Sequence, residues 1–222
     1  IWTFSQLLLD GHVVMLRRFE ASATIAALAL FKAEVVYLVP TMMSRIWKLP
    51  IDERTCFDLS ALEKAWHLAA PCPEWLKRAW IDWLGAERVW ELYGGTEAQS
   101  ATVISGEQWL ERPGSVGQAA TGELRIMDDD GAILPAGVTG EVYMRPEPGR
   151  STYFYKGAEP RRTADGWESL GDMGYLDEDG FLFLADRRSD MILTGGANVY
   201  PAEIEAAIDA HPLVSSSAVI GM

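Results

Sequence analysis

The sequence has little cysteine and little histidine. It contains two cysteines, Cys56 and Cys72, and three histidines in 222 residues. Two cysteines this far apart do not form a disulfide framework or a cysteine-rich zinc site, which favours a reducing compartment and makes the cytoplasm the expected location. His12 and His211 have no neighbours in the sequence that indicate a metal site or an activated nucleophile.

Basic residues are also scarce. The chain has 19 lysines and arginines against 32 aspartates and glutamates, a net charge of −13. Surfaces that bind the nucleic-acid backbone need clustered basic side chains, and the sequence contains no such cluster. We therefore expect no nucleic-acid partner, although an acidic protein can still bind a single nucleotide.

Long hydrophobic runs are absent as well. The longest apolar stretch, residues 21–31, contains Ser22 and Thr24, is shorter than a membrane span and is followed by Lys32. We expect no integral membrane contact and no signal peptide. With 49% hydrophobic and 23% charged residues, the composition is that of a globular protein.

The pattern of apolar residues divides the chain into three regions. Strands and helices alternate up to about residue 113, which is typical of an α/β layer. Short β-rich segments separated by Asp-Gly turns follow from Gly114. The fold class is therefore α/β: part of a large α/β domain (1–113) with a β-rich subdomain (114–187), followed by the start of a small α+β C-terminal domain (188–222).

The individual elements follow from the same patterns. Gly85 is expected to end the helix that starts near Pro73. The predicted strands are 13–16, 35–39, 65–69, 88–92, 122–127, 140–145, 180–184, 191–194 and the start of one at 218–222. The predicted helices are 22–32, capped by Ser22, 42–47, the helix after Pro73 and 201–210.

Two sequence blocks near the end of the β-rich region place a carboxylate and a guanidinium at characteristic positions. Asp172 lies in Gly171-Asp-Met-Gly174, a predicted turn whose carboxylate could accept hydrogen bonds from two neighbouring ribose hydroxyls. Arg187 carries a planar, permanently charged group suited to phosphate. The alternatives are an ordinary turn aspartate and a surface ion pair with Asp186 or Asp190.

A third block, Tyr93-Gly-Gly-Thr-Glu97, follows a predicted strand. It offers an aromatic ring, flexible backbone, a hydroxyl and a carboxylate. Mg²⁺ needs few protein carboxylates when a substrate supplies phosphate oxygens, so one glutamate is enough. The alternative is that Thr96 and Glu97 cap a helix, since caps use the same residue types.

Taken together, the blocks around Glu97, Asp172 and Arg187 and the paired glycines Gly195-Gly196 resemble the adenylate-forming ligase superfamily of acyl-CoA synthetases, peptide-synthetase adenylation domains and luciferases. The resemblance implies an AMP-forming acyl-CoA synthetase. Such an enzyme uses ATP to activate a hydrophobic carboxylic acid, fatty or aryl, to acyl-AMP and then transfers the acyl group to coenzyme A. The implied cofactors are ATP/AMP, Mg²⁺ and coenzyme A.

The resemblance also implies a role for each matching residue. Thr96 and Glu97 would be catalytic, with Glu97 holding Mg²⁺; Gly195 and Gly196 would line the coenzyme A tunnel. Ser189 would be the hinge, where many relatives have Asp or Lys. The nucleotide-binding residues would be Leu68, Ala69, Ala70, Pro71, Leu92, Tyr93, Gly94, Gly95, Thr96, Asp172 and Arg187.

Some positions near the expected acid site have weaker assignments. Leu68 departs from the small residues that relatives favour in this loop. His67 could border the acyl pocket, but a packed, hydrogen-bonded structural histidine is favoured. Thr41, Met42 and Met43 are candidates for the acyl site by the same resemblance.

Two parts that the resemblance leads us to expect are missing: a phosphate loop ending in lysine, upstream, and a catalytic lysine beyond Met222. We therefore expect the chain to be a fragment that catalyses little adenylation by itself. Two alternatives remain open. One is a ligase that activates an acyl or aminoacyl group and loads a carrier protein; the other is a non-catalytic nucleotide-binding or scaffold fragment.

Overall fold

The computed structural model describes residues 6–148, 153, 155–157, 159, 161–187, 191–194, 197–209, 211, 214 and 217–221. Within these ranges, only the backbone is described at 186–187, 193–194, 197–198, 202–203 and 206.

The described residues form helices α1 to α6 and strands β1 to β12, numbered in chain order. The helices are α1 (Ala21–Leu30), α2 (Pro40–Trp47), α3 (Ile51–Thr55), α4 (Glu74–Leu84), α5 (Gly106–Glu111) and α6 (Pro201–Asp209). The strands up to residue 127 are β1 (Val35–Leu38), β2 (Lys64–His67), β3 (Val89–Gly94), β4 (Ala101–Ser105), β5 (Ser115–Thr121) and β6 (Glu123–Met127). The later strands are β7 (Gly140–Arg145), β8 (Arg161–Arg162), β9 (Glu168–Leu176), β10 (Leu182–Arg187), β11 (Ile192–Thr194) and β12 (Ala197–Val199).

Most strands belong to one sheet. Its order is β1-β2-β3-β4-β5-β10-β9-β7-β6, with β8 paired to β9. The β1–β2 and β2–β3 pairs are parallel and all the others are antiparallel. Strands β11 and β12 form a separate hairpin. The predicted mixed α/β class is confirmed; the predicted divisions at 113–114 and 187–188 stay predictions.

The main core lies between the parallel strands and the helices packed on them. Helix α4 buries Leu76, Trp80, Ile81 and Leu84, which recur at helical spacing and so form one apolar face. Trp109 of α5 joins the same core. A second core fills the β-rich part, with Val116, Ile126, Val142, Met144 and Leu182 buried.

Helix ends follow the local sequence, with one difference from expectation. Helix α1 begins at Ala21, and its cap is Glu20, whose carboxylate accepts from the backbone N–H groups of Ser22 and Ala23. The expected Ser22 cap is therefore wrong by two residues. Gly85 ends α4 with a φ of +99°, as expected from its freedom to adopt positive φ.

Three other expectations fail. Residues 11–16 and 217–221 have no regular structure, so the strands expected at 13–16 and from 218 are wrong for the described residues. Met15 is 74% exposed, and residues 13–16 pair with no described strand. Asp172 lies within β9 rather than in a turn. Its backbone pairs with that of Arg187 on β10, and β7 pairs with β9 at Ser169 and at Met173, before and after it.

The sequence analysis did not predict strands β4, β5, β8, β9 and β12 or helices α3 and α5. Of these, α5 has a recognisable start signal. Ser105 and Gln108 form a capping box, in which each side chain bonds the backbone N–H of the other residue. None of the described helices combines the length and the apolar composition that a membrane crossing requires.

The two halves of the sheet join at β5, where Gly117 lets the backbone approach β4 closely. Gly117 has a φ of +99°, and a Cβ there would lie 2.1 Å from the carbonyl oxygen of Val103. Gly131 also has a positive φ, +83°, but a Cβ there would meet no atom within 4 Å. A substitution at Gly131 would therefore cause backbone strain alone, whereas one at Gly117 would cause both strain and steric overlap.

We expect Gly117→Ala to lower the free energy of unfolding by about 2–4 kcal/mol, since it combines left-handed strain with overpacking. Gly131→Ala should cost only about 1 kcal/mol, from strain alone. Urea denaturation of both variants measures the difference. Equal losses would show that the close approach at Gly117 does not restrict the side chain.

Candidate active site

The candidate site centres on a contact between two strands that are not neighbours in the sheet. The Tyr93 hydroxyl on β3 donates a hydrogen bond of 2.6 Å to Oδ2 of Asp172 on β9. The antiparallel register places the backbone of Asp172 opposite that of Arg187 on β10. The fold thus brings together Tyr93 and Asp172, and it pairs Asp172 with Arg187 along the backbone.

The turn after β3 contains Thr96 and Glu97. The backbone N–H of Ala98 donates to the carbonyl of Gly95 at 3.1 Å and closes the turn. Strand β4 begins at Ala101 and no helix starts here. The alternative in which Thr96 and Glu97 cap a helix is therefore wrong; both lie in the loop that joins two antiparallel strands.

The two glycines of this turn leave space that neighbouring groups occupy. A Cβ on Gly95 would lie 2.6 Å from Oε2 of Glu97 and 2.6 Å from Cδ1 of Leu170. A Cβ on Gly94 would lie 3.0 Å from the carbonyl oxygen of Ser100. The Glu97 carboxylate therefore folds back over the backbone of Gly95, and a side chain there would displace it.

The loop 68–71 follows β2, whose parallel neighbour β3 leads to Leu92 and Tyr93. His67 and Glu91 are register partners, so both chain segments leave the same edge of the parallel sheet, where α/β proteins place ligands. Ala69 has a φ of +75°, a strained conformation for a residue with a Cβ. Leu68 is half-buried, whereas Ala69 and Ala70 are exposed.

The donor set suits Mg²⁺ held together with a phosphate better than a cage made of protein ligands. Among the described residues, no group of three or more His, Cys, Asp or Glu side chains could hold a metal ion. The turn offers the Glu97 carboxylate and the exposed Thr96 hydroxyl beside glycine backbone. This is the arrangement that Mg²⁺ uses when phosphate oxygens supply its other ligands.

A buried charge cluster supports the start of the loop 68–71. Lys77 of α4 donates to Oε2 of Glu91 on β3, and both side chains are nearly inaccessible. Nε2 of His67 lies 3.7 Å from the same oxygen, which is too long for a hydrogen bond. Neither ring nitrogen of His67 has a hydrogen-bond partner among the described residues. The expectation of a packed histidine fits this burial, but the hydrogen-bonded form of it does not.

Burial decides the charge state of His67. Desolvation lowers the pKa of His67 to about 4, and Lys77 lowers it too, while Glu91 opposes them by raising it. Desolvation likewise raises the pKa of the Cys72 thiol. At neutral pH both side chains are uncharged, so the lysine and glutamate form the charged pair of the cluster.

Several sequence predictions lie elsewhere or outside the described residues. Ser189, Gly195, Gly196 and the side chain of Arg187 lie outside them. Met43 is buried in the main core and Met42 packs against it, so Met43 is a core residue rather than part of an acyl site.

The structure also adds residues that the sequence did not single out. Tyr155 donates a hydrogen bond of 2.7 Å to Oε1 of Glu97. Gln99 donates at 3.2 Å to Glu168, a buried residue of β9. These contacts join residues that are 58 and 69 positions apart, and no local pattern in the sequence indicates them.

The pKa of His67 predicts a loss of stability in mild acid. The unfolded chain takes up a proton near the ordinary pKa of 6.5, but the folded protein does so only near 4. The stability that the neutral, buried His67 contributes is therefore fully present above about pH 6.5 and is lost as the pH falls towards 4. We expect a loss of about 2 kcal/mol in the free energy of unfolding between about pH 7.5 and about pH 5.

Urea denaturation of His67→Asn at both pH values isolates this term, because the variant lacks the titrating ring. The fall in stability should be smaller by about 2 kcal/mol in His67→Asn and unchanged in His12→Asn, whose histidine is exposed. An equal fall in the wild type and His67→Asn would contradict the buried neutral state.

The chain is similar in sequence and in fold to known proteins. A 2-succinylbenzoate–CoA ligase from Bacillus cytotoxicus is 41% identical over 136 residues, which are 60% of this chain and 28% of that protein. The o-succinylbenzoate CoA synthetase (MenE) from Bacillus subtilis in complex with its acyl-adenylate intermediate has a TM-score of 0.84 at 29% identity. The similarity covers 99% of this chain and 44% of that one. The same enzyme has also been solved with ATP and a magnesium ion.

The amide bond synthetase McbA from Marinactinospora thermotolerans is similar too. Its TM-score is 0.79 at 30% identity, with 96% of this chain and 43% of that chain covered. The chain thus spans less than half the length of these relatives. The family model described as AMP-binding enzyme matches residues 1–153. That match covers more than half of the sequence, and the chain belongs to the family of AMP-binding enzymes.

Proposed function

We propose that the protein carrying this chain is an AMP-forming ligase that activates an aryl carboxylic acid with ATP and transfers the acyl group to coenzyme A. The carboxylate of the acid attacks the α-phosphorus of ATP and pyrophosphate leaves. The thiol of coenzyme A then attacks the acyl carbon, AMP leaves and the thiol proton is released. The observation that carries the proposal is the contact between Tyr93 and Asp172, together with the pairing of Asp172 and Arg187 along the backbone.

Asp172 is suited to hold the ribose. Its Oδ2 accepts from Tyr93, and a carboxylate has about four acceptor sites, so a second oxygen can accept from sugar hydroxyls. The Tyr93 bond fixes the orientation of the carboxylate. The ring of Tyr93 then lies beside the base, and the resemblance assigns Arg187 to the ribose and phosphate.

Glu97 and Thr96 are suited to the phosphates. The glycines at 94 and 95 leave room for the Glu97 carboxylate against the backbone, and Thr96 is exposed beside it. When bound, Mg²⁺ would neutralise phosphate charge and polarise the phosphoryl oxygens. In the proposed site Glu97 holds the metal, and Thr96 donates to a phosphate oxygen. Gly195, Gly196 and Ser189 keep their proposed roles at the coenzyme A tunnel and the hinge.

The aryl class of acid is favoured over the fatty class because relatives in both kinds of comparison are named for 2-succinylbenzoate. The comparisons restrict the molecule that accepts the acyl group less than they restrict the acid. Similarity to an amide bond synthetase makes an amine the second candidate acceptor beside the thiol of coenzyme A. A carrier-protein thiol is a third outcome of the same test.

The role of Asp172 is tested by Asp172→Asn in the full-length protein that carries this chain. Loss of a charged acceptor should raise the apparent KM for ATP by about 10- to 100-fold. Asp165→Asn is the matched control, because Asp165 is exposed and lies near Arg125 at 3.8 Å. Carboxylate-dependent pyrophosphate exchange gives the measurement. An unchanged KM in Asp172→Asn would remove Asp172 from the nucleotide site.

The substrate class is tested on the same full-length protein. We expect kcat/KM for 2-succinylbenzoate or benzoate-type acids to exceed that for hexanoate or palmitate by at least about tenfold, since a pocket shaped for a ring discriminates against flexible chains. Product analysis with coenzyme A, a primary amine or a carrier protein identifies the acceptor. Preference for a fatty acid would contradict the aryl assignment, and amide formation without thioester would contradict the coenzyme A assignment.

A further inference from the structure

Two tyrosines lie beside the turn that carries Glu97. Tyr155 donates a hydrogen bond of 2.7 Å to Oε1 of Glu97. The rings of Tyr153 and Tyr155 meet edge to face, with centroids 4.9 Å apart and planes inclined at 69°. This geometry is the favourable one for an aromatic pair, so the position of one ring restrains the other.

Tyr153 is in turn anchored to a buried carboxylate. Its hydroxyl donates to Glu168 of β9, a residue that is only 4% exposed. Glu168 also accepts from Nε2 of Gln99 at 3.2 Å and from Nε of Arg162 at 2.7 Å. Gln99 reaches the hydroxyl of Tyr153 as well, at 3.3 Å. Tyr153 is thus held by β9 and by the loop that follows Glu97.

The protonation states support these directions of donation. Burial alone would raise the pKa of Glu168, but the hydrogen bonds from Tyr153, Arg162 and Gln99 outweigh it and lower the pKa. Burial, followed by the bond to Glu168, raises the pKa of Tyr153. Glu168 is therefore an ionised acceptor and Tyr153 a protonated donor, and charge-assisted bonds of this kind are strong.

The Glu97 carboxylate is held by a hydrogen bond from Tyr155, which Oε1 accepts. Oε2 lies in the space that glycine leaves at position 95, 2.6 Å from where a Cβ would be. A glutamate in an exposed turn ordinarily samples many rotamers and loses that freedom when it binds a cation. Here folding already removes part of the conformational entropy of the Glu97 side chain, so cation binding has less entropy to remove. The carboxylate is to that extent preorganised.

We propose that Tyr155 is a positioning residue that holds the Glu97 carboxylate in the orientation needed to bind Mg²⁺. This inference rests on the proposed function, in which Glu97 holds the metal. A carboxylate that accepts one hydrogen bond can still bind a cation, because it has about four acceptor sites. Tyr155 therefore acts through Glu97, and its support is the chain of contacts through Tyr153 to Glu168.

Tyr155→Phe tests the inference, because it removes the hydroxyl and keeps the ring against Tyr153. In the full-length protein, the Mg²⁺ concentration for half-maximal pyrophosphate exchange should rise about fivefold, a modest effect because the bond is partly exposed to solvent. The rate at saturating Mg²⁺ and the thermal unfolding midpoint should stay close to the wild type. A merely structural role would lower the unfolding midpoint without changing the Mg²⁺ requirement, and an unchanged or lower Mg²⁺ requirement overturns the inference.

Two further variants separate the inference from the proposed function. Tyr175→Phe is the matched control, since the Tyr175 ring stacks on Phe183 with centroids 4.9 Å apart, away from the Glu97 turn; it should behave like the wild type. Glu97→Gln should lose most activity at every Mg²⁺ concentration, and adding Tyr155→Phe to it should change nothing more. Full activity in Glu97→Gln overturns both proposals. If Glu97→Gln loses activity but Tyr155→Phe keeps the wild-type Mg²⁺ requirement, only the positioning role of Tyr155 is overturned.

Discussion

The double pairing of β5, with β4 on one side and β10 on the other, is the constraint on which the rest of the structure depends. It joins the strands of the α/β part to those of the β-rich part in one sheet. The join requires the backbone of Gly117 to lie against the Val103 carbonyl at a distance that excludes any Cβ. The successive pairs β3–β4, β4–β5, β5–β10 and β10–β9 place β3 and β9 relative to each other, and β5 is the strand through which the two parts are joined.

The polar contacts of the candidate site follow from that placement. Tyr93 bonds Asp172, Gln99 bonds Glu168, and Tyr155 bonds Glu97. Each contact links β3 or the loop after it to a later part of the chain. Beneath the loop 68–71, the buried pair of Lys77 and Glu91 supports the ends of β2 and β3. The uncharged His67 beside it shows that burial, rather than the neighbouring carboxylate, decides its state.

Much of the fold was predictable from local patterns. The parallel strands β1 to β3 and helix α4 have continuous apolar runs or a helical apolar face, which are strong signals. The failures have physical causes. The apolar run 13–16 has no partner strand among the described residues. Asp172 lies between glycines that predicted a turn, but its pairing with Arg187 of β10 holds it in β9.

By itself, the sequence determined the class of fold, the positions of strands β1 to β3, β6 and β7 and of helices α1, α2, α4 and α6, and the residue types that resemble an adenylate-forming ligase. These follow from periodicity, glycine punctuation and short blocks, all of which act within about ten residues. Only the tertiary structure decided that Tyr93 bonds Asp172, that Tyr155 bonds Glu97, and that His67 is buried beside Glu91. Such contacts join side chains distant in sequence, and they depend on how strands stack in the sheet, which local propensity does not encode.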